Sequence, residues 1–180
     1  MNCGFTEDFA NFIKNNGNNI FTLGYSSWNF DRPDLKCAAF GGKASPDDKI
    51  VKTPVIFVHG NSDLAFGRGT TDGYVSWQTG ARELFTYLGS QGYTKAELYT
   101  TTWGPANSNL ANQNNHAKQY ILQMRAFLEA VLQYTGASQV NVIGHSMGVT
   151  LGRGVIKGGT IPSDYGSTFD LGKPINDKVD

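Results

Sequence analysis

From residue 54 the chain reads Pro-Val-Ile-Phe-Val-His-Gly, so four β-branched or aromatic residues follow Pro54 with no polar residue between them. A strand wetted on one side alternates apolar and polar residues; an unbroken run is the pattern of a strand covered on both faces, as in a parallel sheet. Two more strands are predicted by the same reasoning, Ala-Glu-Leu-Tyr-Thr-Thr-Thr-Trp at residues 96–103 and Gln-Val-Asn-Val-Ile-Gly-His at residues 139–145. Between and after them the periodicity turns helical. Residues 81–93 form a helical stretch stopped by Gly92, and Tyr120, Ile121, Met124, Phe127, Leu128, Val131 and Leu132 make one continuous stripe that Gly136 ends. A third helical stretch covers residues 147–159. Strands alternating with helices predict an α/β fold: a mostly parallel sheet, right-handed crossovers and helices on its flanks.

Residues 1–52 follow different rules. They are rich in Asn, Gly and Asp and hold one short helical pattern, after Thr6, with Phe9, Phe12 and Ile13 on one face. The expectation is an N-terminal extension, residues 1–52, packed on a core of residues 53–180. Cys3 and Cys37 both fall in the extension, in no metal-ligand or CxxC spacing, so no metal site is expected. A bond between them would contribute on the order of 4 kcal/mol and imply an oxidising compartment; two unpaired thiols carry equal weight.

Fifteen basic residues balance fifteen acidic ones, which leaves no electrostatic footprint for nucleic acid or an anionic membrane. The apolar runs fall far short of the roughly 20 residues of a membrane span, so no integral membrane segment is expected. No signal peptide follows Met1, no Asn-x-Ser/Thr sequon occurs, and no internal repeat or low-complexity tract is seen beyond asparagine-rich loops. No feature of the sequence sets an oligomeric state.

Gly144-His145-Ser146-Met147-Gly148 fits the G-x-S-x-G nucleophile elbow, in which a serine occupies a tight strand-to-helix turn and the glycines keep side chains out of it. Taken alone the pattern is weak. Its setting, a predicted strand before and a helix-compatible run after, is what the chemistry needs. A second feature is independent: Val58-His59-Gly60-Asn61 ends the first core strand, where a backbone N–H can meet a developing oxyanion. The expected site is therefore Ser146 as nucleophile, the backbone N–H groups of Asn61 and Met147 as oxyanion donors, and Gly144 and Gly148 as elbow glycines.

Three segments, PVIFVHGNSD, TTWGP and GHSMG, in this order, resemble the class 2 lipases, and the likeness covers residues 54–180. The resemblance implies a minimal α/β-hydrolase fold, a lipid or other carboxylic ester as substrate, an acyl-serine intermediate, no cofactor and an extracellular location. It also implies an Asp and then a His after the serine. Here Asp164, Asp170, Asp177 and Asp180 follow Ser146, but no histidine does. The aspartates read as solvated loop residues. His59 and His145 read as structural, the latter because a strand should turn its side chain away from that of Ser146. His116 reads as the start of the long helix.

The chain is thus expected to be a fragment, lacking the C-terminal strands and the catalytic Asp and His, inactive by itself, with the outer edge of the 139–144 strand unpaired. Other readings are an α/β hydrolase acting on thioesters or small esters, and a non-catalytic binding protein of the same fold. Tyr25, Trp28, Phe30, Trp77 and Trp103 read as core or loop anchors ahead of an acyl-binding wall, and the loop of residues 61–78 is the expected substrate contact.

Overall fold

A computed structural model describes residues 1–16, 25–67, 77–162 and 167–180. In chain order the elements are β1 (Gly4–Phe5), α1 (Glu7–Asn15), β2 (Ala39–Gly41), β3 (Val55–Val58), α2 (Arg82–Ser90), β4 (Leu98–Thr101), α3 (Lys118–Thr135), β5 (Asn141–Gly144), α4 (Met147–Lys157), β6 (Thr160–Pro162) and β7 (Thr168–Asp170).

The main sheet runs β1-β2-β4-β3-β5. Its centre is parallel, with Ile56 of β3 opposite Tyr99 of β4 on one side and Val142 of β5 on the other. β2 enters antiparallel to β4, and β1 lies parallel to β2. β3 is buried at every position and its residues alternate between two cores. Ile56 and Val58 face the cluster built by α1, α3 and α4, with Phe9, Phe127, Leu128 and Leu151; Val55 and Phe57 face the cluster with Phe40, Phe66 and Phe85 on the α2 side. Burying such side chains is worth about 1.5–3 kcal/mol each, so the unbroken run at residues 55–58 places β3 at the centre of the sheet. Among the described residues no helix is long and apolar enough to cross a membrane.

Local signals set the helix ends. Thr6 caps α1 by accepting from the Phe9 N–H at 3.3 Å, and Glu7 and Asp8 lie in the first turn, where the helix dipole favours negative charge. α3 ends at Gly136, whose left-handed φ of 67° lets its N–H bond the Leu132 carbonyl.

The structure departs from the sequence reading in four places. Residues 1–52 do more than pack on the core: they give β1 and β2 to the main sheet, where the bond between Cys3 and Cys37, one of the two alternatives left open, is formed, Cα to Cα 5.1 Å. The strand expected at residues 96–103 is confined to Leu98–Thr101, because Glu97 folds back in a capping box with Thr94 and accepts the N–H groups of Val51 and Lys52 at 2.7 and 2.8 Å. Residues 160–170, read as polar loop, contain the antiparallel pair β6-β7, whose inward Ile161 and Phe169 are buried between exposed neighbours. The outer edge of β5, expected bare, carries one parallel bridge: the Val140 N–H bonds Lys178 O at 2.9 Å and the Asp180 N–H bonds Val140 O at 3.0 Å.

Candidate active site

β5 and α4 meet at Ser146, which has φ 52° and ψ −126°. A serine rarely takes a positive φ, and it persists only where the surroundings fix it. Here they leave no room for relaxation. A Cβ on Gly148 would stand 2.2 Å from the Val58 carbonyl oxygen, and one on Gly144 would stand 2.8 Å from the Val149 Cα, so both positions require glycine. The turn presses close against the loop after β3: a Cβ on Gly60 would lie 3.1 Å from Ser146 Cβ and 3.0 Å from His145 Nδ1. Ser146 is exposed at this edge.

Two backbone N–H groups belong to residues adjoining this turn. Met147 is the first residue of α4, where an N–H has no intrahelical partner. Asn61 follows Gly60 in the loop after β3. Among the described residues no acceptor takes the N–H of either one.

The three histidines fall in different settings. His59 is fully buried, and burial pushes its pKa down to about 4, with Arg32 and His145 adding repulsion. Its Nδ1 donates to Gly60 O at 2.7 Å, its Nε2 accepts the Trp103 N–H at 3.0 Å, and its ring stacks on Trp103, centroids 5.2 Å apart. Both nitrogens are committed to tying the end of β3 to the end of β4. His145 is exposed, but its ring borders Gly60 beside Ser146 and does not point wholly away, because the chain leaves the extended conformation at Ser146. His116 is half-buried, its Nε2 2.8 Å from Thr150 Oγ1 and 3.3 Å from the Met147 carbonyl. None of the three is hydrogen-bonded to the Ser146 hydroxyl among the described residues.

Sequence reasoning missed Asp63, buried beside this edge, whose carboxyl is pushed up by burial while its Oδ1 accepts from the Leu64 N–H at 2.7 Å. It also missed the side chains of Asn107 and Asn114, which the asparagine-rich composition of residues 107–115 could have signalled. Of the aromatics, Tyr25, Phe30 and Trp103 are buried core, while Trp77 is 40% exposed. Half of the loop expected to contact substrate, residues 68–76, lies outside the described residues. Asp164 does so too; Asp170, Asp177 and Asp180 are exposed. A cavity of about 570 Å³ opens between the second half of α3 and residues 170–178, and Ser146 does not line it.

No curated protein matches the chain significantly. The family model described as Lipase (class 2) matches residues 52–180, which takes in β3, the loop with Asn61, β4, and the whole β5-Ser146-α4 turn. With most of its length inside that match, and with the mostly parallel sheet the family implies, the chain belongs to the class 2 lipases.

Proposed function

We propose that Ser146 is the nucleophile of a serine ester hydrolase acting on lipid or other carboxylic esters. One observation carries this reading: a serine held at φ 52° between strand and helix, with the Met147 N–H next to it and the Asn61 N–H in the adjoining loop, neither taken by an acceptor among the described residues. In the reaction the Ser146 hydroxyl oxygen attacks the ester carbonyl as its proton passes to a general base, the carbonyl oxygen becomes an oxyanion between the Asn61 and Met147 N–H groups, collapse expels the alcohol, which takes up that proton, and water hydrolyses the acyl-serine to the carboxylic acid and free serine. Two such donors supply several kcal/mol of transition-state stabilisation. The carboxylic ester fits this chemistry without a cofactor. The Cys3–Cys37 disulfide supports an extracellular location.

A serine hydroxyl needs a general base in reach. With His59 committed to Gly60 and Trp103, His116 to α4, and His145 beside Gly60 but making no hydrogen bond to the Ser146 hydroxyl among the described residues, residues 1–180 by themselves should turn over esters extremely slowly. This favours, as a second reading, a binding protein of the same fold. Exogenous imidazole separates the two. Added to the chain with p-nitrophenyl butyrate, it should accelerate hydrolysis beyond its effect on Ser146→Ala; identical rates in the two proteins would favour the binding protein.

A further inference from the structure

Between β4 and α3 the chain carries Asn107, Asn109, Asn112, Asn114 and Asn115, a density that a plain connecting loop does not need. The polar contacts of this stretch run to the edge that holds Ser146. The two amide protons of Asn114 go to Asn61 Oδ1 at 2.6 Å and Ser62 Oγ at 3.1 Å. The Ser62 hydroxyl reaches Asn107 O at 3.1 Å, and Asn61 Nδ2 donates to Ala111 O at 2.8 Å. Gln78 Nε2 bridges the carbonyls of Ser62 and Ala106 at 2.8 and 2.9 Å. Two residues beyond Asn114, His116 meets the first turn of α4. The Thr150 hydroxyl gives its proton to Met147 O at 3.0 Å, so His116 Nε2 is the donor in its 2.8 Å contact with Thr150 and its 3.3 Å contact with Met147 O.

We infer that residues 106–116 form a positioning strap that joins the two oxyanion donors, Asn114 holding the Asn61 end and His116 holding the Met147 end. The inference rests on the reading of Ser146 and its donors given above. An oxyanion is stabilised only by N–H groups already about 2.7–3.1 Å from where its charge develops, so the separation of the donors matters as much as their presence. Met147 is fixed by its helix. Asn61 is not: it lies in a loop, next to Ser62 at φ 61°, a backbone conformation costly for a serine unless its surroundings hold it. The strap supplies that hold and ties it to α4. A purely backbone role for Asn61 would make Asn61→Ala mild; the strap makes it damaging, since two of its contacts, from Asn114 and to Ala111 O, end on the Asn61 side chain.

The test uses the 180-residue chain. The rate at which a fluorophosphonate labels Ser146, with imidazole added as base, is followed by peptide mass spectrometry, and the rigidity of the Asn61 and Met147 amides by ¹⁵N relaxation. Asn114→Ala should slow labelling at least tenfold and lower the Asn61 order parameter from the rigid level of about 0.85 towards 0.6, with melting little changed. His116→Phe should slow labelling as well, whereas His116→Gln, which keeps a donor near the Nε2 position, should recover most of the rate. Wild-type labelling in Asn114→Ala with a rigid Asn61 amide would overturn the strap. Should Asn114→Ala fail to fold, Thr150→Val tests the other end, and an unchanged labelling rate there would overturn a link to α4. If the wild-type chain takes no label at Ser146, the nucleophile reading fails, and the relaxation data alone decide the strap: a loosened Asn61 in Asn114→Ala sustains it and a rigid one removes it.

Discussion

The two ends of the α3–α4 pair are fastened by opposite chemistry. At the far end Arg125, 2% exposed, bonds Glu129 Oε1 at 2.6 Å, Val155 O at 2.8 Å and Lys173 O at 2.8 Å, so a buried charge joins α3, the end of α4 and the segment after β7. At the near end a half-buried His116 touches Thr150 and Met147 through one nitrogen. Breaking a buried ion pair strands a charge, whereas loosening a partly wetted contact costs little because water replaces it. Rigidity is therefore concentrated away from Ser146, and the elbow side is held by many small polar contacts that set geometry more than stability.

If that division is right, Arg125→Met gives the largest loss of stability. Glu129, whose carboxyl is already pushed up by burial against the pull of Arg125, would keep a buried carboxylate without its partner. The expected loss is about 3–5 kcal/mol by chemical denaturation, with Ser146 labelling below the melting transition nearly unchanged. A loss under 1 kcal/mol would show that the far end is not the anchor.

Acid is the next largest perturbation, and it acts at the site end through His59. Burial depresses the folded-state pKa to about 4, below an unfolded value near 6.5, so the stability this histidine contributes is complete above pH 6.5 and is lost as pH falls towards 4. The difference is worth up to ~3 kcal/mol. Urea midpoints measured from pH 7 to pH 4 should fall more steeply in the wild type than in His59→Gln, and parallel curves would remove His59 as the cause.

Smaller effects sharpen the contrast. Glu97→Gln keeps two acceptor sites at most where the carboxylate now serves the N–H groups of Val51, Lys52 and Thr94, and should cost about 1–2 kcal/mol. Burial works against that carboxylate while the backbone donors hold its pKa below the usual range, so the wild type alone should lose this increment on acidification. Thr150→Val should cost under about 1 kcal/mol yet slow Ser146 labelling, the reverse of the pattern expected for Arg125→Met.

How much of this could be read from residues varies along the chain. β3 was legible because four consecutive apolar residues admit few other placements, and α3 because its stripe runs over many turns. The elbow was legible because its two glycines and serine are a local steric requirement. The entry of residues 1–52 into the sheet was not, since β1 and β2 are two and three residues long and take their partners from elsewhere in the sequence. The bridge of Val140 to Val179 was hidden for the same reason. His116 read as the opening of a helix because its partners, Met147 and Thr150, are more than thirty positions away. Polar contacts between distant loops leave no periodicity behind, only an excess of asparagine.

Labelling of Ser146 tests the proposed chemistry most directly. The chain and its Ser146→Ala variant are incubated with a fluorophosphonate and weighed intact by mass spectrometry, with the adduct then mapped by peptide analysis. With imidazole added to serve as the base, one adduct per chain, on the peptide carrying Gly144-His145-Ser146-Met147-Gly148 and absent from Ser146→Ala, is the expected result. Equal labelling of the alanine variant, or an adduct on any other residue, would contradict Ser146 as the nucleophile.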